Sequence, residues 1–486
     1  MNVQTRPRFG RVAMLSIGSG VVINLLVGCQ SYERAPLDLE AHRLDVAARL
    51  ARPEPLEAFA ARLAAQDGLV PDRFDQADGL SCAEAEVVAL FFNPDLRLAR
   101  LEAGVARATH EHAGRWEDPE FGFDGAEIMN PSAPFLYGLT LNLTMPVSGR
   151  LGIEMDRAGA AYEAQLRRIV DAEWSTRARV RRAWAAWSVA VERTALLRDV
   201  VAQVERISAI TDQLERAGEL SHPESRLFRI ERASRAAALA DAELAREQAR
   251  LALLRLMGLV PDTSVTLHPS LTTVELVPPE EPMQRLIEAN TQLAIQRAAY
   301  LVAEHTLRLE VRKQFPDITI GTGYGSEAND DRLLLGLSLP LPLINANRAG
   351  IAEARAHREL ARAHAESAFE RVSHEYASAI ASHQAAQRQR AQYEGHIVPM
   401  LTEQSQEIEQ IAQLGEVDAL LLLETVTRQF EAKSQLLALK RAELDAAITI
   451  AELLGPAQRP LPAPVEPSTP DQAIETRIRP SVGDAS

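Results

Sequence analysis

Cysteine is almost missing from this chain: Cys29 and Cys82 are the only two in 486 residues. That excludes a disulfide framework and leaves Cys82 to be read as a small buried hydrophobe. Aromatics make up only 5% and do not interleave with basic residues, and the formal net charge is -15. Together these remove a nucleic-acid groove. No His-Glu zinc motif, phosphate-cradling glycine loop or nucleophile elbow occurs, so an enzyme is not expected. Eleven histidines are present, but His110 and His112 lack Cys or Asp companions, and His374 and His383 stand apart. No metal site or other cofactor is expected. Proline is missing from Leu151 to Ala217, and glycine is missing after Gly159 in that stretch. The long helical runs also lack 20 consecutive apolar residues, which excludes a membrane-crossing helix within them.

What is present is written twice. An alternating strand pattern, a very long helical run, a Gly-Glu turn and a second helical run fill residues 115–260 and return at 312–456. Pro119 matches Pro316, Gly218 matches Gly415 and Gly258 matches Gly455, each pair 197 residues apart. Internal duplication of this kind governs the architecture and is read first. The strands fall at 119–124, 138–147, from Ile318 to about Tyr324, and 333–343. Leu139, Leu141, Leu143, Met145 and Val147 share one face of the second. Leu333, Leu335, Leu337, Leu339, Leu341 and Leu343 share one face of the fourth. About ten residues suits a tilted membrane-spanning strand. Loops at 125–135 and 325–332 join the strands in pairs.

Before the first strand, short helices are expected at 39–50 and 56–66. A firmer helix opens with the capping box Ser81/Glu84, bends at Asn93-Pro94 and resumes to Gly114. The long runs cover Leu151–Ala217 and 222–257, then Ala349–Leu414, with a kink at Pro399, and 418–454. Such lengths imply coiled-coil packing. The seam would include Ile207, Ile210, Leu214, Leu227, Ile230, Ile408, Ile411, Leu414, Val426, Phe430 and Leu437, with Trp174, Trp184 and Trp187 as packing anchors. The reversals at Gly218 and Gly415 call for glycine's conformational freedom.

The N-terminus reads as a targeting segment. Arg6, Arg8 and Arg11 precede a short apolar core that stops at Leu26-Val27-Gly28-Cys29. These four residues resemble a bacterial lipobox, which implies lipidation of Cys29. Gln30 in the following position favours outer-membrane sorting by the same resemblance. The domain reading is a signal peptide at 1–28, a tether and cap at 29–78, a first repeat at 79–261, a linker at 262–280, a second repeat at 281–456 and a disordered tail at 457–486.

Four membrane strands cannot stand alone, because every strand edge in lipid must be paired. Closure needs other copies, and three would supply 12 strands. The fold class is therefore a mixed α/β membrane protein, internally duplicated, with four strands per protomer and a helical barrel continuing the sheet. A coiled-coil structural or peptidoglycan-facing lipoprotein is the alternative, and it leaves the paired strands unexplained.

Several stretches carry a resemblance to a known family. They are Leu80-Ser81, Asn93-Pro94-Asp95-Leu96, Trp116-Glu117-Asp118-Pro119, Met145-Pro146-Val147-Ser148-Gly149-Arg150 and Leu256-Met257-Gly258-Leu259, followed by Phe315-Pro316, Leu339-Pro340-Leu341-Pro342 and Asn347-Arg348. With Ala217-Gly218-Glu219-Leu220 and Leu414-Gly415-Glu416-Val417, the chain resembles the TolC-like outer membrane efflux proteins over residues 78–456. It is most similar to the heavy-metal cation branch. The resemblance implies a homotrimeric channel anchored among outer membrane lipids. A 12-stranded barrel would cross the membrane and an α-helical barrel the periplasm. Its tip, near Gly218, Glu219, Leu220, Gly415, Glu416, Val417 and Asp418, would meet a periplasmic adaptor coupled to an inner-membrane RND pump. An exposed Leu220 would join Val417 and Leu420 in that contact, and Glu219, Glu416 and Asp418 would form acidic rings with Arg partners. Pro146, Arg150, Pro342 and Arg348 would mark the strand-to-helix junction, the arginines bonding turn carbonyls or lipid phosphates.

Overall fold

The computed structural model describes residues 32–67, 74–75, 78–126, 136–272, 279–327, 330–413 and 419–456. Two compact units divide the chain at Arg49. The first contains helix α1 (Leu39–Ala47), whose N-terminus is capped by Asp38 Oδ1 accepting from the Ala41 amide at 2.9 Å. All other elements described below belong to the second unit.

That unit starts with α2 (Glu54–Asp67) and α3 (Cys82–Phe92). The Ser81/Glu84 capping box is formed in both directions at the head of α3. Asn93 then separates α3 from α4 (Pro94–His112). Proline at the first helical position costs no hydrogen bond, and it drives the preceding Asn93 out of the helical region. The Asn93 side chain serves two purposes. Its Oδ1 accepts from the Asp95 and Leu96 amides at 2.9 and 3.2 Å, and its Nδ2 donates to the Leu256 carbonyl at 2.8 Å.

The chain next forms β1 (Glu120–Ala126), β2 (Leu136–Met145) and the helical hairpin α5 (Arg150–Ala217) and α6 (His222–Leu256). At 68 residues, α5 is about 100 Å long at ~1.5 Å per residue. The absence of an internal proline permits this length. The second copy follows as α7 (Pro282–Ala289), α8 (Thr291–Arg312), β3 (Ile318–Glu327), β4 (Asp330–Ser338), α9 (Arg348–Gln392), a π-turn (Tyr393–Ile397), α10 (Val398–Gln413) and α11 (Ala419–Leu454).

The duplication holds to the level of single hydrogen bonds. Asn290 is the counterpart of Asn93. It accepts from the Leu293 amide at 2.9 Å and donates to the Leu453 carbonyl at 2.8 Å. Gly258 and Gly455 end the return helices with φ of 70° and 69°. At Gly455 an added Cβ would stand 2.0 Å from the Ala289 carbonyl oxygen, so no side chain fits.

The main core joins α2, α3, α5 and the end of α6. Leu56, Val87, Val88, Val180, Trp184, Leu253, Leu254 and Met257 are buried together. Trp184 is 1% exposed and meets Trp187 edge-on. Trp174 has a different part: its indole Nε1 donates to the Glu452 carbonyl at 3.0 Å and ties α5 to α11. A second cluster packs Val200, Val204 and Ile207 of α5 with Phe228 of α6 and Ala419 and Val426 of α11. Of the expected seam, Ile207 and Val426 are buried, whereas Ile210, Leu227, Ile230 and Ile411 are exposed. The apolar stripe is therefore wider than the buried contact.

The expected kink at Pro399 takes the form of the π-turn just before it. Proline lacks an amide hydrogen, and its ring crowds the carbonyl four residues back, which here belongs to Gly395. The wider turn relieves that contact. Arg390 pins the turn to α11, bonding Glu443 at 2.5 Å and Glu394 at 2.6 Å, and Lys440 reaches Glu394 at 2.9 Å.

The four strands form one antiparallel sheet in the order β1-β2-β3-β4. Phe121, Leu141, Thr322 and Leu335 stand in one cross-strand row, and Phe123, Leu139, Tyr324 and Leu333 in the next. These rows are exposed, Leu335 to 82%. The other face carries Glu120, Asn142, Gly321 and Gly336 in one row and Asp124, Gly138, Gly325 and Arg332 in another. Two expectations change. Strand pairing stops at Ser338 rather than running to Leu343, because Pro340 and Pro342 lack ladder donors. The second hairpin is also tighter than a 325–332 loop, since Glu327 pairs with Asp330. Most of the first hairpin loop, 127–135, lies outside the described residues.

Candidate functional site

Two places gather the residues singled out from the sequence: the strand-to-helix junction and the helical reversal. At the junction, Pro146 follows the last residue of β2. The chain turns with the Val147 amide donating to the Met145 carbonyl at 2.9 Å. Gly149, at φ 71°, leads directly into Arg150, the first residue of α5.

Arg150 joins three segments. Its Nε donates to Asp317 Oδ2 at 2.8 Å, Nη1 to Glu154 Oε1 at 3.0 Å and Nη2 to Glu117 Oε1 at 2.8 Å. Ser148 Oγ donates to the other Asp317 oxygen at 3.3 Å. Glu117 lies on the approach to β1 and Asp317 on the approach to β3, so one guanidinium locks both strand entrances to the head of α5. Burial disfavours the cation here, but the hydrogen bonds from Arg150 to Asp317, Glu117 and Glu154 outweigh it, and its pKa is raised. Each of the three guanidinium nitrogens donates to a carboxylate, so the partners described at this residue are acidic side chains rather than turn carbonyls. Fixed carboxylate partners satisfy the fork better than carbonyls do.

The second junction is built differently. Ala346 and Asn347 adopt left-handed backbone at φ 45° and 52°, a conformation asparagine tolerates. Asn347 Nδ2 donates to the backbone carbonyl and to the carboxylate of Glu310, both at 2.8 Å. Burial pushes Glu310 upward, but bonds from Lys313 and Asn347 prevail and hold it below the usual carboxylate range. Arg348 opens α9 as an exposed residue, and no described residue pairs with its guanidinium. Pro342 is exposed beyond β4, at the centre of a tight turn in which the Leu343 amide donates to the Leu341 carbonyl at 2.8 Å.

At the reversal, Gly218 is left-handed at φ 82°. The Glu219 amide reaches back to the Leu214 carbonyl at 2.9 Å. This is a Schellman closure, which requires a residue that accepts positive φ. Ser221 then caps α6, with Glu224 completing the box. Glu219 is exposed, whereas Leu220 is half-buried. Its exposure is thus less than the sequence reading gave it, and its amide donates to the Leu214 carbonyl at 3.3 Å. Gly415, Glu416, Val417 and Asp418 lie outside the described residues, as does Cys29.

The charges that hold the reversal are not the ones the sequence pointed to. Arg229 bonds Asp212 at 3.0 Å and also reaches Glu215, while His222 Nδ1 contacts the other Glu215 oxygen. Ser225 Oγ donates to Asp212 at 3.3 Å. The bond from His222, foremost, keeps the Glu215 carboxylate below its ordinary range. These partners belong to two antiparallel helices, and their spacing in the chain is not a local motif. An i to i+7 relation across a Gly-Glu turn was the one available signal.

Among the described residues, no helix is long and apolar enough to cross a membrane. No group of three His, Cys, Asp or Glu side chains among them is placed to hold a metal ion. Cys82 is half-buried and packs against the main core, where burial, with help from Glu86, pushes its thiol up to about 12.

A family model described as outer membrane efflux protein matches residues 88–259 and 283–456. The cobalt-zinc-cadmium resistance protein CzcC of Cupriavidus metallidurans is 24% identical over 213 residues, 43% of this chain. That match spans about half of the relative's length, 51%. Among solved structures, the open-state MtrE outer membrane channel of Neisseria gonorrhoeae superposes with a TM-score of 0.66 at 19% identity. It covers 78% of this chain and 90% of its own. The CmeC outer membrane channel of Campylobacter jejuni gives a TM-score of 0.67 at 13% identity, covering 92% and 97%. At these identities the structures establish the fold.

Proposed function

The chain belongs to the outer membrane efflux protein family, and from that premise we propose that it is the outer-membrane channel of an efflux system. It is a passive conduit rather than an enzyme, and it draws its energy from a partner. The observation that carries this reading is the sheet. One face is apolar and open, and the other is polar and rich in glycine. A sheet with lipid on one side and water on the other has this distribution. A periplasmic scaffold gives no reason for it.

Three copies would close the sheet into a 12-stranded barrel, because unpaired edges are not tolerated in lipid. The helices would extend the conduit into the periplasm, with Cys29 lipidated and holding the protein to the outer membrane. The reversal at Gly218, Glu219 and Leu220, with its counterpart at Gly415, Glu416, Val417 and Asp418, would meet a periplasmic adaptor joined to an inner-membrane RND pump. Pro146, Arg150, Pro342 and Arg348 mark the handover from barrel to helices.

Heavy-metal cations are the cargo we favour, supported by the partial likeness to CzcC and by the acidic balance of the chain. Deleting the gene should raise cellular cobalt, zinc and cadmium and lower tolerance to them. Unchanged metal levels with raised accumulation of an organic toxin would reassign the cargo. No change for any solute, together with no conductance in a planar bilayer, would remove the channel reading.

A further inference from the structure

The sheet has two free edges, β1 and β4. Beyond β4 the chain continues as Leu339-Pro340-Leu341-Pro342-Leu343-Ile344, exposed throughout and reaching 93% at Ile344. Its leucines extend the odd-numbered apolar row of Leu333, Leu335 and Leu337. β3 offers them no partner, because its ladder ends with Thr319 opposite Ser338. Successive residues of a strand direct their amides to opposite edges, so Pro340 and Pro342 strip donors from one edge only. Leu339 and Leu341 keep theirs.

We propose that Leu339 and Leu341 form the landing strip for β1 of a second copy, so that Phe121 and Phe123 of that copy lie opposite leucines of the 337–341 row. This rests on reading the sheet as one protomer's share of a membrane barrel. Four strands per copy make the joint between β4 and the next β1 antiparallel. A barrel closes only if its strands tilt by about 35–45° and the register staggers accordingly. With strands ~4.8 Å apart and a rise of ~3.3 Å, four strands accumulate an offset of about four to six residues. An odd offset would turn Phe121 and Phe123 to the polar face, leaving four or six.

The unstaggered ladder runs through Glu120, Asn142, Gly321 and Gly336 and would return to Glu120. Displaced one way, Phe121 meets Leu339 at an offset of four or Leu341 at six. Displaced the other way, residues 114–119 would have to pair with β4. That segment is committed elsewhere: Gly114 is left-handed at φ 66°, Pro119 lacks a donor, and Glu117 is held by Arg150 at 2.8 Å. The run after β4 carries one backbone bond of its own, from the Leu343 amide to the Leu341 carbonyl at 2.8 Å, which leaves both backbone groups of Leu339 and the Leu341 amide open to a strand.

The test uses the full chain with its leader and Cys29 retained and Cys82→Ala introduced. Phe121→Cys is combined with Leu339→Cys in one variant and with Leu341→Cys in another. Within one chain these positions are three strands apart, roughly 14 Å, beyond the ~7 Å limit for a disulfide. A bond therefore reports contact between copies. Mild oxidation should give reducible dimer- and trimer-sized bands for one of the two pairs. A Leu334→Cys partner, facing the opposite side, should give none. If amine cross-linking shows trimers while neither pair bonds, or if Arg115→Cys with Leu335→Cys bonds instead, the register is overturned. If no oligomer forms at all, the barrel reading fails with it. The unsubstituted protein supplies a second measurement. Peptides covering 336–342 should exchange amide hydrogens roughly tenfold more slowly or better in the assembled protein than in the monomer. Free exchange in the trimer would equally overturn the proposal.

Discussion

Arg150 and two glycines show how much rests on single residues. Removing the Arg150 side chain leaves Asp317, Glu117 and Glu154 with no shared cation, and Asp317 and Glu154 are largely shielded from water. Truncation of such a centre costs about 3 kcal/mol, because the carboxylates stay behind unpaired. Arg150→Ala should therefore lower the thermal unfolding midpoint of the purified protein. Arg150→Lys should recover only part of the loss, since a single ammonium cannot hold three carboxylates in fork geometry. Gly218 and Gly455 make a contrasting pair. Both have positive φ, but a Cβ at Gly218 meets nothing within 4 Å, whereas at Gly455 it strikes a backbone carbonyl at 2.0 Å. Gly218→Ala should cost about 1–2 kcal/mol, the strain of left-handed backbone alone. Gly455→Ala should sharply reduce the yield of folded protein in the membrane fraction. Equal yields for the two variants would contradict this account.

At the scale of elements, the helices were largely legible and their ends nearly so. Ser81/Glu84, Asn93-Pro94, Gly218 and Gly258 each carry a local chemical reason to start or stop a helix. The end of β4 was not legible, because its alternation of leucines continues through Leu343 while the ladder stops at Ser338. Alternation reports which face a side chain takes, and proline decides whether the backbone can pair. The charge network at the reversal was equally hidden. Asp212, Glu215, His222 and Arg229 meet only after α5 and α6 fold against each other. That network predicts a pH dependence. Glu215 titrates lower in the folded protein than in the unfolded chain. Its contribution is present above the unfolded value and is lost as pH falls through the folded one. Acidification below about pH 4, the ordinary glutamate range, should loosen the reversal, seen as lower amide protection around residues 212–229 once each rate is divided by that of an unstructured chain at the same pH. In Glu215→Gln that protection should already be low at neutral pH and change little on acidification.

At the scale of the whole molecule, the two faces of the sheet carry the functional argument. Leu334 and Leu335 are neighbours in β4 and point to opposite sides, Leu335 in the apolar row with Phe121 and Leu334 opposite Gly323. A cation facing lipid near mid-depth costs about 2–4 kcal/mol, and one facing a watery lumen costs little. Leu335→Arg should therefore cut the amount of assembled protein in the outer membrane, while Leu334→Arg should assemble and alter conductance. The reverse order would place the lumen on the other face.

The sequence by itself determined the duplication, the helix lengths, the reversal at Gly218 and the apolar rows of the second and fourth strands. All of these follow from residues near one another in the chain: spacing, capping groups and the φ preferences of glycine and proline. The pairing of Asn93 with Leu256 and of Asn290 with Leu453 needed the fold, as did the Arg150 centre, the π-turn before Pro399 and the point where β4 stops pairing. Each of these joins groups from separate segments. Whether a polar group finds a partner depends on which surfaces are brought within about 3 Å, and only the packed tertiary structure decides that.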